Sequence, residues 1–497
     1  MALAVIRSRA ALGIDAPAVM VEVHLANGLP ALSIVGLPEA AVRESKDRVR
    51  SALLTCGFEF PNRRITVNLA PADLPKEGGR FDLPIALGIL KASGQLKAEL
   101  EEYEFAGELG LDGSLRPITG VLPLALQSRA SGRRLIVPSA SAPEGALVHP
   151  QACFGAGHLL EVCAHLTGTA SLNPAEPPPP SDAVPVADLV DVKGQQPAKR
   201  ALEIAAAGGH SLLFVGPPGT GKSMLAARLP GILPPMTEAE RLETAAVASV
   251  SDLGFQPQLW GRRPLRAPHH SSSDVALIGG GARPRPGEIS LAHNGVLFLD
   301  ELPEFSRRAL EALREPLETG YVAISRAAAR VQYPARFQLI AAMNPCPCGY
   351  LGDPDGRCRC SAEQVARYRN RLSGPLLDRI DMIVEVPRLP ASVLRAAPDG
   401  EPSAAVRERV IAARARQLTR GVVNARLSGA QLDQACRLDS ATQQLLDQAV
   451  DRLRLSARGY HRILRVARTI ADLDGSDRIA TAHVLEAVGY RRLPLSG

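Results

Sequence analysis

The feature that most constrains the fold of this chain is a glycine-rich segment, Gly216-Pro-Pro-Gly-Thr-Gly-Lys-Ser223. The four apolar residues before it, Leu212–Val215, are typical of a buried strand, and the residues after it, Met224–Arg228, favour a helix. In such a strand–loop–helix unit the backbone N–H groups of the loop surround phosphate groups. We therefore predict a site for ATP and Mg²⁺, with Lys222 on the β- and γ-phosphates and Ser223 on the metal. The predicted nucleotide-binding residues of the loop are Gly216, Gly219, Gly221, Lys222 and Ser223.

A second pair of candidate residues follows another apolar run, Val296–Leu299. Asp300 and Glu301 come directly after it, and ligands bind at the carboxyl ends of the strands in an open α/β sheet. Asp300 is suited to position Mg²⁺ through water, and Glu301 is suited to activate the water that attacks ATP. Without the glycine-rich loop, the same pattern would be an ordinary strand that ends in solvated acids.

Two further residues complete the predicted catalytic set. Asn344 follows a third apolar strand, Gln338–Ala342, where it could orient the attacking water or the γ-phosphate, although Asn also ends strands without any such role. Arg379 lies among acids in Leu376-Leu-Asp-Arg-Ile-Asp381. It is either one partner of a buried salt bridge or an arginine finger that reaches the γ-phosphate of a neighbouring subunit.

The charges of the chain are unevenly distributed. Residues 1–172 carry 16 Lys and Arg against 17 Asp and Glu, whereas residues 173–497 carry 41 against 34. The formal net charge of +6 therefore arises entirely from the second part. This permits a polyanionic partner such as nucleic acid but does not by itself establish one.

No part of the sequence predicts a membrane or export segment. There is no run of 18 or more uncharged apolar residues, and Met1–Arg7 lacks the basic segment and apolar core of a signal peptide. The eight cysteines do not have the spacing of a disulfide framework in a chain of 497 residues. We therefore expect a cytoplasmic protein that has no membrane partner.

Four of the cysteines form a candidate metal site. Cys346 and Cys348 are separated from Cys358 and Cys360 by a polar loop. Four thiolates suit a closed, tetrahedral, structural Zn²⁺ site, although Cys-x-Cys departs from the more usual Cys-x₂-Cys spacing. The alternative is that four reduced thiols pack the loop. The remaining cysteines are isolated, which is typical of core residues: Cys56, Cys153, Cys163 and Cys436.

A proline-rich segment, residues 173–186, divides the chain and favours an extended, semi-rigid linker. Residues 1–172 alternate strand and helix patterns, beginning with a predicted hairpin over residues 19–34 around Asn27-Gly28. Residues 187–394 contain the three buried strands described above, and residues 395–497 have only helical patterns. We therefore predict an N-terminal α/β domain, a P-loop α/β domain and an all-helical C-terminal domain.

Several short sequence motifs of the central region are typical of a known family. They are Asp191-Val-Lys-Gly-Gln195, Arg266-Ala-Pro-His-His270, Gly279-Gly-Gly281, Pro286–Gly295 and Cys346-Pro-Cys-Gly349. With them, essentially the whole chain resembles the ComM/YifB family, in the magnesium-chelatase and MCM branch of the AAA+ ATPases. The resemblance implies a homohexameric ATPase linked to natural transformation and to branch migration of recombining DNA. Its implied partners are single-stranded or branched DNA and recombination proteins.

The resemblance also implies where DNA would bind. In this branch a β-hairpin precedes the strand of Asn344 and projects into the pore of the ring, and residues 321–333 match it. Arg326 and Arg330 lie near its tip, where they could follow a phosphate backbone. Arg283 and Arg285, in a Gly/Pro-rich insertion, are further candidates. For all four arginines the alternative is a solvated surface position.

By the same resemblance, the C-terminal helices form the AAA+ lid. Ser456-Ala-Arg458 matches the pattern that carries the second sensor arginine, with Arg462 and Arg465 as nearby alternatives. Such an arginine would couple the position of the lid to the charge of the γ-phosphate.

The N-terminal domain resembles the Lon-protease domain, whose catalytic dyad is Ser and Lys. Arg80 stands where the protease pattern has its Ser, and Leu122 stands where it has its Lys. Neither residue supplies a nucleophile or a base, so we expect a domain without protease activity. It is expected to assist assembly or to bind DNA, and Lys76 and Arg80 would be either phosphate contacts or structural residues.

The leading hypothesis is therefore an ATP-driven, hexameric DNA motor. The main alternative is a protein-remodelling ATPase of the magnesium-chelatase type, which would act on a partner protein. An ATP-dependent protease conflicts with the missing dyad, and a nucleotide sensor that does not hydrolyse ATP conflicts with Glu301.

Overall fold

The computed structural model describes residues 2–179, 187–281, 284–325, 330–352, 355–395 and 400–491. Its strands are β1 (Ala2–Arg9), β2 (Ala18–Ala26), β3 (Ala31–Val35), β4 (Arg64–Ala70), β5 (Tyr103–Phe105), β6 (Glu108–Leu109), β7 (Leu115–Arg116), β8 (Arg134–Pro138), β9 (Cys153–Ala156), β10 (Leu212–Val215), β11 (Leu265–Arg266), β12 (Gly279–Gly280), β13 (Arg285–Pro286), β14 (Val296–Leu299), β15 (Tyr321–Ser325), β16 (Arg330–Pro334), β17 (Gln338–Met343) and β18 (Met382–Glu385).

Its α-helices are α1 (Ala40–Arg43), α2 (Ser45–Thr55), α3 (Asp82–Ala92), α4 (Val121–Ala130), α5 (Ala142–Ala146), α6 (Leu159–Thr167), α7 (Gln196–Gly208), α8 (Lys222–Ile232), α9 (Glu238–Ser249), α10 (Asp274–Ile278), α11 (Glu288–Leu291), α12 (Arg307–Ala312), α13 (Arg314–Thr319), α14 (Ala362–Arg369), α15 (Gly374–Leu377), α16 (Ala391–Arg395), α17 (Ser403–Leu418), α18 (Gly429–Ala435), α19 (Ser440–Leu453), α20 (Ala457–Leu473) and α21 (Thr481–Gly489).

The first part of the chain contains a four-stranded sheet in the order β1-β2-β4-β3. β2 is antiparallel to both β1 and β4, and β3 runs parallel to β4. Val19, Val21 and Val23 of β2 are fully buried, because alternate side chains of a strand point to the same face. That face is covered by α3, which is buried along nearly its whole length.

The predicted hairpin over residues 19–34 is wrong. β4 lies between β2 and β3, so the strands on either side of Asn27-Gly28 do not pair with each other. A tight Asn-Gly hairpin turn needs a positive φ at both residues, and Asn27 is not among the residues with a positive φ. The connection instead continues through Pro30, which has no N–H group for a hairpin ladder.

A three-stranded parallel sheet, β5-β8-β9, completes this part of the chain. α4 packs beside it and also contacts α9, which belongs to the P-loop region. The contact is apolar, with Leu124 and Ala245 in one cluster, and the N–H of Gly120 donates a 3.1 Å hydrogen bond to the carbonyl of Ser249. The N-terminal part is thus packed directly on the P-loop region.

A loop of the N-terminal part also contacts the hairpin β15–β16. Leu12 and Asp15 exchange two backbone hydrogen bonds, of 3.1 and 3.0 Å, which close a tight turn. Within it, Gly13 has a φ of +59°, and a Cβ atom at this position would lie 2.4 Å from Cγ1 of Val331. Only glycine therefore fits between this turn and the hairpin.

Five parallel strands form the central sheet, in the order β11-β14-β17-β10-β18. Every residue of β10, β14 and β17 is buried, as is typical of strands that are covered on both faces. Because the strands are parallel, their carboxyl ends meet at one edge. The sheet confirms the predicted α/β fold around the glycine-rich loop.

Beyond β18 the described residues form helices, as predicted. α17 and α20 pack on α7, and their buried side chains, such as Val410 and Ile463, belong to the same core as Phe214 of β10. Among the helices that the structure describes, none combines the length and the hydrophobicity that crossing a membrane requires.

Candidate nucleotide-binding site

The glycine-rich loop lies at the carboxyl edge of the central sheet, between β10 and α8. Gly219 and Gly221 have φ values of +77° and +92°, which residues with a Cβ atom rarely adopt. Gly216 is constrained differently, because a Cβ atom there would lie 2.2 Å from the carbonyl oxygen of Val386. α8 begins at Lys222, so the free N–H groups of its first turn adjoin the loop. This is the geometry of a phosphate-binding site.

Lys222 is held at the centre of the site. Its Nζ donates hydrogen bonds to the carbonyls of Gly216 and Pro217, at 2.7 and 2.8 Å, and to Oδ1 of Asn344, at 3.1 Å. Burial lowers the pKa of Lys222, while the charges of Asp300 and Glu301 oppose that shift. The ammonium group is thus kept near the carbonyl oxygens of the loop. Bound phosphate oxygens would replace these carbonyls as its hydrogen-bond partners. The structure also brings Asn344, from the end of β17, directly to this lysine.

Ser223 and Asp300 form the oxygen pair that the sequence predicts for Mg²⁺. The Oγ of Ser223 donates a 2.5 Å hydrogen bond to Oδ2 of Asp300, and the N–H of Glu301 donates to Oδ1 at 2.9 Å. A hydroxyl and a carboxylate are hard oxygen ligands, and Mg²⁺ in nucleotide sites uses one or two such groups beside the phosphates. The donor set therefore fits Mg²⁺.

Glu301 has an unusual backbone conformation and an unpredicted partner. Its φ is +52°, which is uncommon for a residue with a side chain. Nδ1 of His270 lies 3.0 Å from its Oε2, and the ring of His269 contacts that of His270, with centroids 4.1 Å apart and an angle of 34° between the rings. The sequence motif Arg266–His270 indicated a family, but it did not predict a contact between His270 and Glu301. That contact joins the segment after β11 to the end of β14.

Arg379 lies at the opposite edge of the central sheet. Its carbonyl accepts a 2.9 Å hydrogen bond from Ser211, which precedes β10, whereas the glycine-rich loop follows β10. At about 3.3 Å per residue, the strand separates the two edges by roughly 15 Å. The side chain of Arg379 is 7% exposed, forms an ion pair with Glu318 and donates to the carbonyl of Pro375 at 2.7 Å. Within one subunit, Arg379 is therefore one partner of a buried salt bridge, which is the first of the two roles that the sequence left open.

The two candidate sensor arginines have different surroundings. Arg462 is half-buried, pairs with Asp381 and donates a 3.0 Å hydrogen bond to the carbonyl of Arg379. Arg458 is exposed in the first turn of α20. Ser456, which caps this helix, lies 3.5 Å from a carboxylate oxygen of Asp378. Both arginines are thus on the side of the sheet that carries Arg379. Arg465, the third alternative, donates to the carbonyl of Leu427 at 2.8 Å.

Two cavities adjoin the glycine-rich loop. One, of about 430 Å³, is lined by residues 215–217, by Pro345, Leu351, Gly352 and Asp355, by Glu385 and by residues 387–391. The other, of about 390 Å³, is lined by residues 217–220, by Tyr350 and Arg357, and by Arg388, Leu389, Ala391 and Leu394. Tyr350 and Arg357 belong to no phosphate-binding sequence pattern, so the sequence did not indicate them as site residues.

The four predicted zinc ligands come together. One sulfur from each of Cys346, Cys348, Cys358 and Cys360 lies within 4.8 Å of the others. The Sγ of Cys346 is 3.4 Å from that of Cys348 and 3.8 Å from that of Cys358, and the latter two are 3.7 Å apart. The cluster is compatible with a bound Zn²⁺ ion.

The candidate DNA contacts are only partly described. β15 and β16 pair as an antiparallel hairpin, as the resemblance implies, and Arg330 is exposed next to its tip. Arg285 is ion-paired with Asp252. Arg326 and Arg283 lie outside the described residues.

The residues at the Lon-dyad positions are buried. Arg80 is 7% exposed, and its Nη2 donates a 3.0 Å hydrogen bond to the carbonyl of Thr119. Burial lowers its pKa to about 10. Leu122 is fully buried in the first turn of α4. Lys76 is also fully buried, and its Nζ donates a hydrogen bond to the carbonyl of Pro71. Burial favours the structural role for Lys76 and Arg80 over contact with phosphates.

Three protein families that are named after a magnesium chelatase subunit match parts of the chain. Residues 188–394 match the family described as magnesium chelatase, subunit ChlI. Residues 21–141 match the family subunit ChlI of Mg-chelatase, and residues 400–491 match the family magnesium chelatase, subunit ChlI C-terminal. The three matches together span most of the chain.

Individual bacterial proteins are similar over almost the full length. The chain is 54% identical over 502 residues to competence protein ComM of Haemophilus influenzae. It is 52% identical over 497 residues to uncharacterized protein YifB of Salmonella typhimurium. Each alignment covers 99% of this chain and 98% of the relative. With the P-loop geometry described above, these similarities show that the chain belongs to the ComM/YifB family of magnesium-chelatase-like proteins.

Proposed function

We propose that this protein is an ATPase that assembles into a ring of identical subunits and moves along DNA. The observation that carries the proposal is the division of the candidate residues between two edges of one sheet. The residues that would bind and hydrolyse ATP lie at the carboxyl edge, whereas Arg379 lies at the other. A complete hydrolysis site therefore needs two subunits.

Each residue at the carboxyl edge has a defined task in hydrolysis. When bound, Mg²⁺ neutralises charge on the β- and γ-phosphates, and the oxygens of Ser223 and Asp300 would hold it. The ammonium group of Lys222 replaces its hydrogen bonds to the loop carbonyls with hydrogen bonds to phosphate oxygens. Glu301 accepts the proton of the attacking water, and Asn344, which touches Lys222, orients the water or the γ-phosphate.

The proposed contribution of a neighbouring subunit is Arg379, together with Arg458 on the same side of the sheet. Both lie on the side of the sheet that faces away from the glycine-rich loop of their own chain. To act as an arginine finger, Arg379 breaks its ion pair with Glu318 and contacts the γ-phosphate that is bound to the next subunit. The number of subunits, six, is what the family resemblance implies.

DNA is the proposed track of the motor. The excess of positive over negative charge is confined to residues 173–497, and Arg330 is exposed beside the tip of the hairpin β15–β16. The relative from Haemophilus influenzae is named a competence protein, which supports a role in natural transformation. Branch migration of recombining DNA, together with recombination proteins, is the specific activity that the family resemblance implies.

The alternative is an ATPase that remodels a partner protein. It is favoured by the family descriptions, which name a magnesium chelatase subunit. It is also favoured by the ion pair between Arg285 and Asp252, because that pair neutralises one of the candidate DNA contacts.

Zn²⁺ is the proposed metal of the four-cysteine cluster. Its sulfur positions fit one ion, and reduced cysteines agree with a cytoplasmic location.

The test is ATP hydrolysis in the presence and absence of a four-way DNA junction, with branch migration measured in parallel. We expect junction DNA to stimulate hydrolysis, and we expect Lys222→Ala and Glu301→Gln to abolish both activities. Arg330→Ala should reduce only the stimulation by DNA. Arg116→Ala, which removes a similarly exposed arginine far from the hairpin, is the control. Hydrolysis that DNA does not stimulate, without any branch migration, would exclude the DNA motor in favour of protein remodelling.

A further inference from the structure

The spacing of the cysteine sulfurs is that of a closed metal site. For a Zn–S distance of about 2.3 Å, neighbouring sulfurs of a tetrahedron are about 3.8 Å apart. The three sulfur–sulfur distances among Cys346, Cys348 and Cys358 are 3.4, 3.8 and 3.7 Å.

The same loop is packed against the phosphate-binding loop. Gly349 has a φ of +84°, and a Cβ atom there would lie 2.7 Å from Cδ of Pro218 and 3.8 Å from Cγ of Asn344. Asn344 in turn accepts the hydrogen bond of Lys222 and is separated from Cys346 by one proline. Any shift of the cysteine turn is therefore transmitted to two elements that surround the phosphates.

The loop also supplies one wall of the cavity next to Gly219 and Thr220. The guanidinium carbon of Arg357 lies over the ring of Tyr350, 4.5 Å from its centroid, in a cation–π contact. The cavity is also lined by the aliphatic side chains of Leu389 and Leu394 and by Arg388. At about 390 Å³, a cavity lined by an aromatic ring and by aliphatic side chains suits a planar heteroaromatic base.

We propose that the four-cysteine loop is a metal-organised wall of the nucleotide pocket, in which Tyr350 stacks on the base. Zn²⁺ and adenine nucleotide then bind cooperatively, since each stabilises the same arrangement of the loop. Such a coupling is reciprocal and is worth about 5–150-fold in affinity. The inference rests on the proposed binding of ATP and Zn²⁺, but it doesn't depend on DNA.

The first test compares the whole protein with and without its metal. We expect one zinc per chain by elemental analysis after purification without chelator. Removal of the zinc should weaken ADP binding, measured by calorimetry, at least about fivefold, and added Zn²⁺ should restore it. Far-UV circular dichroism reports whether the chain stays folded. Absence of zinc, or an ADP affinity that does not change when zinc is removed, would overturn the inference. Failure of the zinc-loaded protein to bind ADP would instead overturn the proposed ATPase.

The second test leaves all four cysteines in place. Gly349→Ala should weaken ADP binding while zinc is retained, because the new methyl group meets Pro218. Gly356→Ala is the matched control, since Gly356 is in the same loop, has a φ of +65° and has nothing within 4 Å of an added Cβ. Equal losses in both variants would show backbone strain rather than contact with the phosphate-binding loop, and would contradict the inference.

Tyr350→Ala separates the base from the phosphates. We expect this variant to keep its zinc and its affinity for inorganic tripolyphosphate, while its affinity for ADP falls at least about tenfold, as for loss of one stacked base. An unchanged affinity for ADP would contradict the assignment of Tyr350.

Discussion

The Oγ of Ser223 donates a 2.5 Å hydrogen bond to Oδ2 of Asp300, although the two residues are 77 positions apart in the chain. Ser223 is in the first turn of α8, and Asp300 follows β14. The strands that lead to them, β10 and β14, are separated in the sheet by β17. The contact therefore depends on the order of three parallel strands whose carboxyl ends share one edge.

Substitution of Asp300 tests this pair as the Mg²⁺ site. Asp300→Asn removes the negative charge but keeps a hydrogen-bond acceptor for Ser223. We expect ATP hydrolysis to fall by about 10²–10³-fold, as for loss of one preorganised electrostatic contact, and the Mg²⁺ concentration needed for half-maximal rate to rise. Steady-state ATPase assays over a range of Mg²⁺ concentrations measure both. A variant with the wild-type Mg²⁺ dependence would contradict the assignment.

His270 is predicted to position Glu301, the proposed catalytic carboxylate. Because its Nδ1 lies 3.0 Å from Oε2 of Glu301, His270→Ala frees that carboxylate to rotate. We expect kcat for ATP to fall by about tenfold with little change in KM, since a positioned base contributes about 10²–10⁴-fold in total. His269→Ala removes the adjacent imidazole ring but not the contact between His270 and Glu301, and it is the control. Equal effects of the two substitutions would argue against a positioning role.

Arg379 is predicted to act in the active site of the next subunit. We expect Arg379→Ala to lower ATP hydrolysis by about 10³–10⁵-fold and to be complemented in mixed rings by Lys222→Ala subunits. In such rings some interfaces combine an intact Lys222 with an intact Arg379. Glu318→Gln breaks the same intrasubunit ion pair and serves as the control for stability. If Glu318→Gln loses as much activity as Arg379→Ala, and mixing restores none, the role of Arg379 is structural.

The turn at Gly13 is predicted to hold the hairpin β15–β16 in place. In Gly13→Ala the new Cβ meets Val331 at 2.4 Å, and overpacking of this kind costs about 1–3 kcal/mol in the free energy of unfolding. Gly57→Ala is the matched control, because Gly57 has a φ of +80° but nothing within 4 Å of an added Cβ. Thermal unfolding followed by circular dichroism compares the two. A Gly13→Ala protein no less stable than Gly57→Ala would contradict the contact.

The sequence by itself determined the local units of the nucleotide site. β10 and β14 have the predicted bounds, and the glycine-rich loop lies between its predicted strand and helix. These signals are local, because hydrophobic period and the need for backbone N–H groups around phosphate are both expressed in neighbouring residues. The order of strand ends along the chain was also sufficient to predict that Asp300, Glu301 and Asn344 accompany the loop.

Only the tertiary structure decided which distant residues meet. The hairpin predicted from Asn27-Gly28 does not form, because β4 lies between β2 and β3. The residues of a turn alone do not determine which strands pair. The partner of Arg379, Glu318, is 61 residues away. Likewise, the burial of Arg80 and the wall formed by Tyr350 depend on packing between segments far apart in sequence. Residue type and spacing predict chemistry, but the pairing of distant charges and surfaces follows from the packing of the whole chain.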